Sequence, residues 1–148
     1  MRTLLLSLSA FFLMGGACFA EGRLPPGGGN GSLKPCPKTP NCVSSQADDP
    51  EHAIAPLTYS DSRAEAKARL LKVLTEMKRT TIVADQDDYI HAEARSLIFR
   101  FVDDVEFAFS ASGKVIHVRS ASRVGSSDLG VNRKRVEEIR RRFARPQQ

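Results

Sequence analysis

Between residues 62 and 79, SRAEAKARLLKVLTEMKR, apolar side chains return at helical intervals: Ala66, Leu70, Val73, Leu74 and Met77 share one face, with Lys67, Arg69, Lys72 and Lys78 mainly off it. Ser62 and Glu65 have the spacing of a capping box, so the pattern predicts a helix that packs by one side. The rhythm then turns to short extended pieces: TTIVA at 80–84, YIHAEAR at 89–95, a stretch within FRFVDDVEFAF at 99–109, and KVIHVRSAS at 114–122. DQDD and SASG lie between them and suit tight turns. A second helix is expected over about 128–144, with Leu129, Val136, Ile139 and Phe143 on its apolar side and Asp128 as the N-cap that answers its first N–H groups. Helix, four antiparallel strands, helix is an α+β plan, with both helices packed on one face of the sheet.

Strand parity sorts the polar residues, because successive side chains point to opposite faces. Ile90, Ala92 and Ala94 oppose His91, Glu93 and Arg95; Val105, Phe107 and Phe109 oppose Asp104, Glu106 and Ala108; Ile116, Val118 and Ser120 oppose Val115, His117 and Arg119. One face of the sheet is therefore apolar, while the other gathers two histidines, three acids and two arginines. Such a face is either a solvated lattice of cross-strand ion pairs or the floor of a polar site with imidazoles and carboxylates for proton transfer.

The N-terminal pattern adds a destination. Residues 1–20, MRTLLLSLSAFFLMGGACFA, have one Arg, an apolar run from Leu4 to Met14, and small residues ahead of a cleavage point after Ala20. This is the layout of a secretory signal peptide, and the apolar run is too short to span a bilayer. Lipid attachment at Cys18 is the alternative, although Gly15 stands where the lipid-attachment box has a large aliphatic residue. Residues 21–35, EGRLPPGGGNGSLKP, read as a Pro/Gly linker with almost nothing to bury, and 36–59 as an irregular arm over a single domain spanning 36–145. Cleavage after Ala20 leaves Cys36 and Cys42. In an oxidising compartment these form a disulfide, whose short loop contributes roughly 2 kcal/mol in the chain-entropy model.

Composition narrows the chemistry. The 148 residues are 41% apolar and 26% charged, with no Trp and two Tyr, which fits a packed core and argues against a large aromatic platform. No cofactor motif is present. His91-x-Glu93 with His117 has metal-ligand types, but in a meander the strand at 104–109 separates the histidines by about 10 Å, too far for one ion; direct pairing of 89–95 with 114–120 would make the site possible. Ser120, Ser122, Ser126 and Ser127 lack a nucleophile elbow and suit turns and caps.

CPKTPNCVSS, HAEARS, FVDDVEF and HVRSASRVGSSDLGVNRKR occur in this order. Together they resemble domain-of-unknown-function family 1499, found in bacterial exported proteins and lipoproteins and in plastid-containing organisms. The likeness runs from Cys36 to about Phe143. It implies that Cys36, Cys42, His91, Glu93, Arg95, Asp103, Asp104, Glu106, His117, Arg119, Ser120, Ser122, Arg123, Ser127, Asp128 and Asn132 are signature positions, and it implies no activity.

Removing residues 1–20 takes away Arg2 and no acid, leaving 21 basic against 17 acidic residues. Residues 132–145 hold seven of the basic residues, against Glu137 and Glu138. Motifs of nucleic-acid folds are missing and export argues against that partner, whereas anionic lipid headgroups or acidic glycans are available in an envelope. The expected function is a non-catalytic binding or accessory module for an anionic envelope ligand, with Arg119, Arg123 and Arg95 as ligand-binding residues beside the second helix start. The alternative is an envelope hydrolase or isomerase, with His91 or His117 as proton carrier and Glu93, Asp104 or Glu106 as its orienter.

Overall fold

The computed structural model describes residues 31–145; the expected signal peptide and most of the expected linker lie outside them. The elements are β1 (Cys42–Ser44), β2 (Leu57–Thr58), α1 (Arg63–Glu76), β3 (Thr80–Gln86), β4 (Tyr89–Arg95), β5 (Val102–Phe109), β6 (Val115–Ser122) and α2 (Val131–Phe143). The described residues form an α+β fold, with two helices and an antiparallel sheet in the order β1-β6-β5-β4-β3.

Six strands replace the expected four. The additional two come from the arm: β1 pairs Cys42 with Ala121 and Ser44 with Arg119, and β2 pairs Leu57 with Ile116. Two- and three-residue strands carry too little alternation to be seen in sequence. The outer edge of β6, however, presents backbone donors and acceptors that need partners, and the arm supplies them. The disulfide joins Cys36 and Cys42 with Cα atoms 5.7 Å apart and secures the start of β1. Residues 31–35 depart from the linker expectation as well. Leu33 is buried against Tyr89 and Ala108, its N–H donates to Gln46 Oε1 at 2.8 Å, and Gln46 Nε2 donates to the Gly31 carbonyl at 2.7 Å.

The capping box at α1 forms: Ser62 Oγ accepts from Glu65 N–H, and the Glu65 carboxylate accepts from Ser62 N–H. The helix stops at Glu76, because Met77 is extended and Arg79 adopts a left-handed conformation (φ 57°) that turns the chain into β3. At the other end, α2 starts three residues later than expected. Leu129 (φ 54°) and Gly130 (φ 76°) are both left-handed and cannot continue a right-handed helix backward. Leu129, expected on the buried stripe, is instead 87% exposed. Asp128 still satisfies the helix start from two residues before the Gly130 N-cap, accepting from Gly130 N–H at 2.9 Å and Asn132 N–H at 2.7 Å.

One core joins Leu70, Val73 and Leu74 of α1, Val136, Ile139 and Phe143 of α2, and the apolar sheet positions Ile90, Val105, Phe107, Phe109, Ile116 and Val118. Both helices contribute to this one core with the apolar positions of the middle strands. α1 runs against β3, α2 against β6 and β1, and the two touch each other. This arrangement leaves an opening at one end of the sheet between the end of α1 and the beginning of α2.

Candidate functional site

Register brings the polar candidates into rows on the sheet face away from the core. His91, Glu106 and Arg119 are cross-strand neighbours, and Glu93 with Asp104 forms the adjacent row. Glu106 is fully buried, yet both carboxylate oxygens are engaged: Oε2 accepts from Arg119 Nη1 at 2.8 Å and Oε1 from the Tyr89 hydroxyl at 2.8 Å. His91 Nε2 lies 2.7 Å from Asp104 Oδ1. Arg123 spans Asp104, with Nη2 at 2.7 Å and Nε at 3.0 Å, and reaches Glu93 Oε1 at 2.6 Å. Arg95 approaches Glu93 only at 3.4 Å and remains 47% exposed at its side chain.

The electrostatics follow from this geometry. Burial raises the Asp104 carboxyl, but hydrogen bonds from His91 and Arg123 and attraction to Arg123 and His91 outweigh it and hold Asp104 well below the carboxylate range. The Arg123 hydrogen bond lowers Glu93 against a smaller opposing effect of burial. Arg123 is held above its ordinary value, first by its hydrogen bond to Asp104 and then, against burial, by Glu93. His117 stands apart, its Nδ1 3.3 Å from Ser45 Oγ, with β5 between it and His91. Among the described residues no group of three or more His, Cys, Asp or Glu side chains is placed to hold a metal ion.

A second polar network lies on the helix side. Fully buried Asn132, in the first turn of α2, accepts at Oδ1 from Ser120 Oγ and Arg135 Nη1, both at 2.5 Å. Its Nδ2 donates to the Asn41 carbonyl at 3.1 Å and Ser122 Oγ at 3.0 Å. Arg135 continues to Asp103 at 2.6 Å. The network ties α2 to β6, to β5 and to the arm, so four signature residues, Asp103, Ser120, Ser122 and Asn132, act together in positioning the helix.

The basic helix is less free than its charge implies. Arg133 donates to the Ala53 and Glu51 carbonyls at 2.8 Å each, and Arg140 to the Pro56 and Ala55 carbonyls at 2.6 Å each, so two arginines bind the arm. Of the others, Lys134, Arg135 and Arg142 face the opening at the end of the sheet, a cleft of about 460 Å³. Lys78, Arg79, Arg95, Lys134, Arg135 and Arg142 line it against Glu76 and Glu138, with Met77, Thr80, Ala94 and Val131 as the remaining wall. Arg142 is paired with Glu138 at 2.6 Å and Arg135 with Asp103, whereas Lys78 and Lys134 have no ion pair among the described residues.

Of the residues expected to bind a ligand, Arg95 alone lines this cleft; Arg119 and Arg123 are taken up by carboxylates on the sheet face. Lys78, Arg79 and Lys134 escape sequence reasoning because they come from the end of one helix and the first turns of another, more than fifty positions away. The Lys-Arg pair following the apolar stripe of α1 is the one local sign of them.

No curated protein matches this chain. Residues 32–143 match the family described as protein of unknown function (DUF1499), which spans the arm, the whole sheet and both helices. The chain belongs to that family.

Proposed function

We propose that this chain is an exported, non-catalytic binding or accessory module of the cell envelope, and that it takes an anionic ligand in the basic cleft between α1, the β3–β4 border and α2. The observation that carries this reading is the charge imbalance of the cleft: six basic side chains line it against two acids, and three of the six, Arg95, Arg135 and Arg142, are already paired, which leaves Lys78, Arg79 and Lys134 without an ion pair among the described residues. Unpaired cations converging on a concave surface attract an anion and leave its charge matched on binding. The disulfide suits an oxidising compartment. The acid–base alternative is less well supported. His91 is 8% exposed with Nε2 against Asp104, and Glu106 is held by Arg119 and Tyr89. A proton carrier needs reach to a substrate as well as an orienting carboxylate.

Thermal unfolding with added glycerol phosphate or inorganic polyphosphate tests the reading. We expect a rise in Tm that Lys78→Glu with Lys134→Glu abolishes and that Arg141→Glu, on the same helix but outside the cleft, leaves in place. Equal stabilisation of all three proteins by both anions would overturn it.

A further inference from the structure

The turn from Ser96 to Phe101, between β4 and β5, carries apolar side chains where turn chemistry favours polar ones. Leu97, Ile98 and Phe99 are 71%, 78% and 73% exposed, and Phe101 is 51% exposed. The turn is held in shape: Ser96 N–H donates to the Phe101 carbonyl and Phe101 N–H to Ser96 Oγ, each at 2.9 Å. The rings of Phe99 and Phe101 stack with centroids 5.5 Å apart, and Arg100 between them is left-handed (φ 54°). A closed turn that holds four apolar side chains in water is an interaction surface.

Its position indicates the occupant. Arg95, which lines the basic cleft, ends β4 immediately before this turn, and Val131 of the same cleft is 46% exposed close to the protruding Leu129. An apolar tip and a surplus of cations therefore share one end of the sheet. A second copy docking there would set cation against cation. An anionic bilayer meets both demands, since apolar side chains enter the boundary between headgroups and acyl chains while basic side chains remain level with the phosphates. We infer that this end of the protein docks on an anionic lipid bilayer, with Leu97, Ile98, Phe99 and Phe101 inserted and the cleft receiving a lipid phosphate. This rests on the reading of the cleft given above, and it names the ligand's setting. No helix among the described residues is long and apolar enough to cross a membrane, and the docking is peripheral.

Co-sedimentation with vesicles tests it, using protein recovered in its exported form with Cys18→Ser throughout, so that no acyl chain can be attached there. Phosphatidylglycerol–phosphatidylcholine vesicles should bind the protein at low salt and release it at high salt, and pure phosphatidylcholine should bind it weakly. Leu97→Ser with Phe99→Ser should weaken vesicle binding by at least about tenfold. It should leave Tm and the response to soluble glycerol phosphate or polyphosphate unchanged. Lys78→Glu with Lys134→Glu should weaken both responses, vesicle binding by about fivefold or more for each cation removed. Vesicle binding that ignores the tip variant, or a soluble-anion response with no vesicle binding, overturns the bilayer inference and leaves the cleft reading standing. Loss of every anion response overturns the cleft reading as well.

Discussion

Two arginine-rich regions of this protein differ in what surrounds the guanidinium groups. On the polar sheet face Arg119 meets buried Glu106, and Arg123 meets Asp104 and Glu93, so the cations there are spent on carboxylates of neighbouring strands. At the end of the sheet, Lys78, Arg79 and Lys134 share a cleft in which acids are outnumbered. A basic residue becomes a binding residue only when its own fold leaves its charge unmatched, and the sheet face lacks that condition although it holds most of the charged signature residues.

Arg119→Ala should have the largest effect on stability. It would leave Glu106 fully buried without its cation, and losing one partner of a buried pair costs about 3–5 kcal/mol. Guanidinium unfolding should show a loss of that size; a change under about 1 kcal/mol would mean that the sheet face does not depend on its pairing.

Arg123→Ala should have a smaller effect, about 1 kcal/mol, because the side chain is 40% exposed and its ion pairs are screened. Its signature is in the acid limb. Asp104 and Glu93 titrate below the ordinary carboxylate range in the folded protein, so their contribution is present above the unfolded values near about 4 and is lost as pH falls through the lower folded values. Without Arg123 the folded carboxyls move back toward the unfolded ones, and less stability remains to be lost on acidification. Urea midpoints taken across the acid range should therefore fall less steeply in the variant, and parallel curves would contradict the assignment.

The smallest effect on stability belongs to the cleft. Lys78→Glu with Lys134→Glu touches no ion pair among the described residues and should change unfolding free energy by no more than about 0.5 kcal/mol, whatever it does to anion binding. A large loss would place the cleft cations in the same structural role as Arg119.

Periodicity revealed a good part of this fold. The stripe and capping box of α1, the limits of β4 at Tyr89 and Arg95, and the division of polar from apolar residues along β4, β5 and β6 all follow from local pattern. β1, β2 and the burial of Leu33 escaped it because each depends on a distant partner: the open edge of β6 for the strands, and Tyr89 with Ala108 for Leu33. Leu129 misled for a local reason, since its place on a helical wheel means nothing once its own backbone is left-handed. The cleft was the least legible feature, for no stretch of sequence contains it.

Which residues are charged, which faces of the helices and longer strands are apolar, and the signature that marks the family are all legible along the chain, because these depend on residue type and short spacing. Which charges are matched depends on the folded arrangement. Pairing is a matter of a few ångströms between side chains far apart in the chain, and it separates Arg119 and Arg123, held by Glu106, Asp104 and Glu93, from Lys78 and Lys134 at the open end of the sheet.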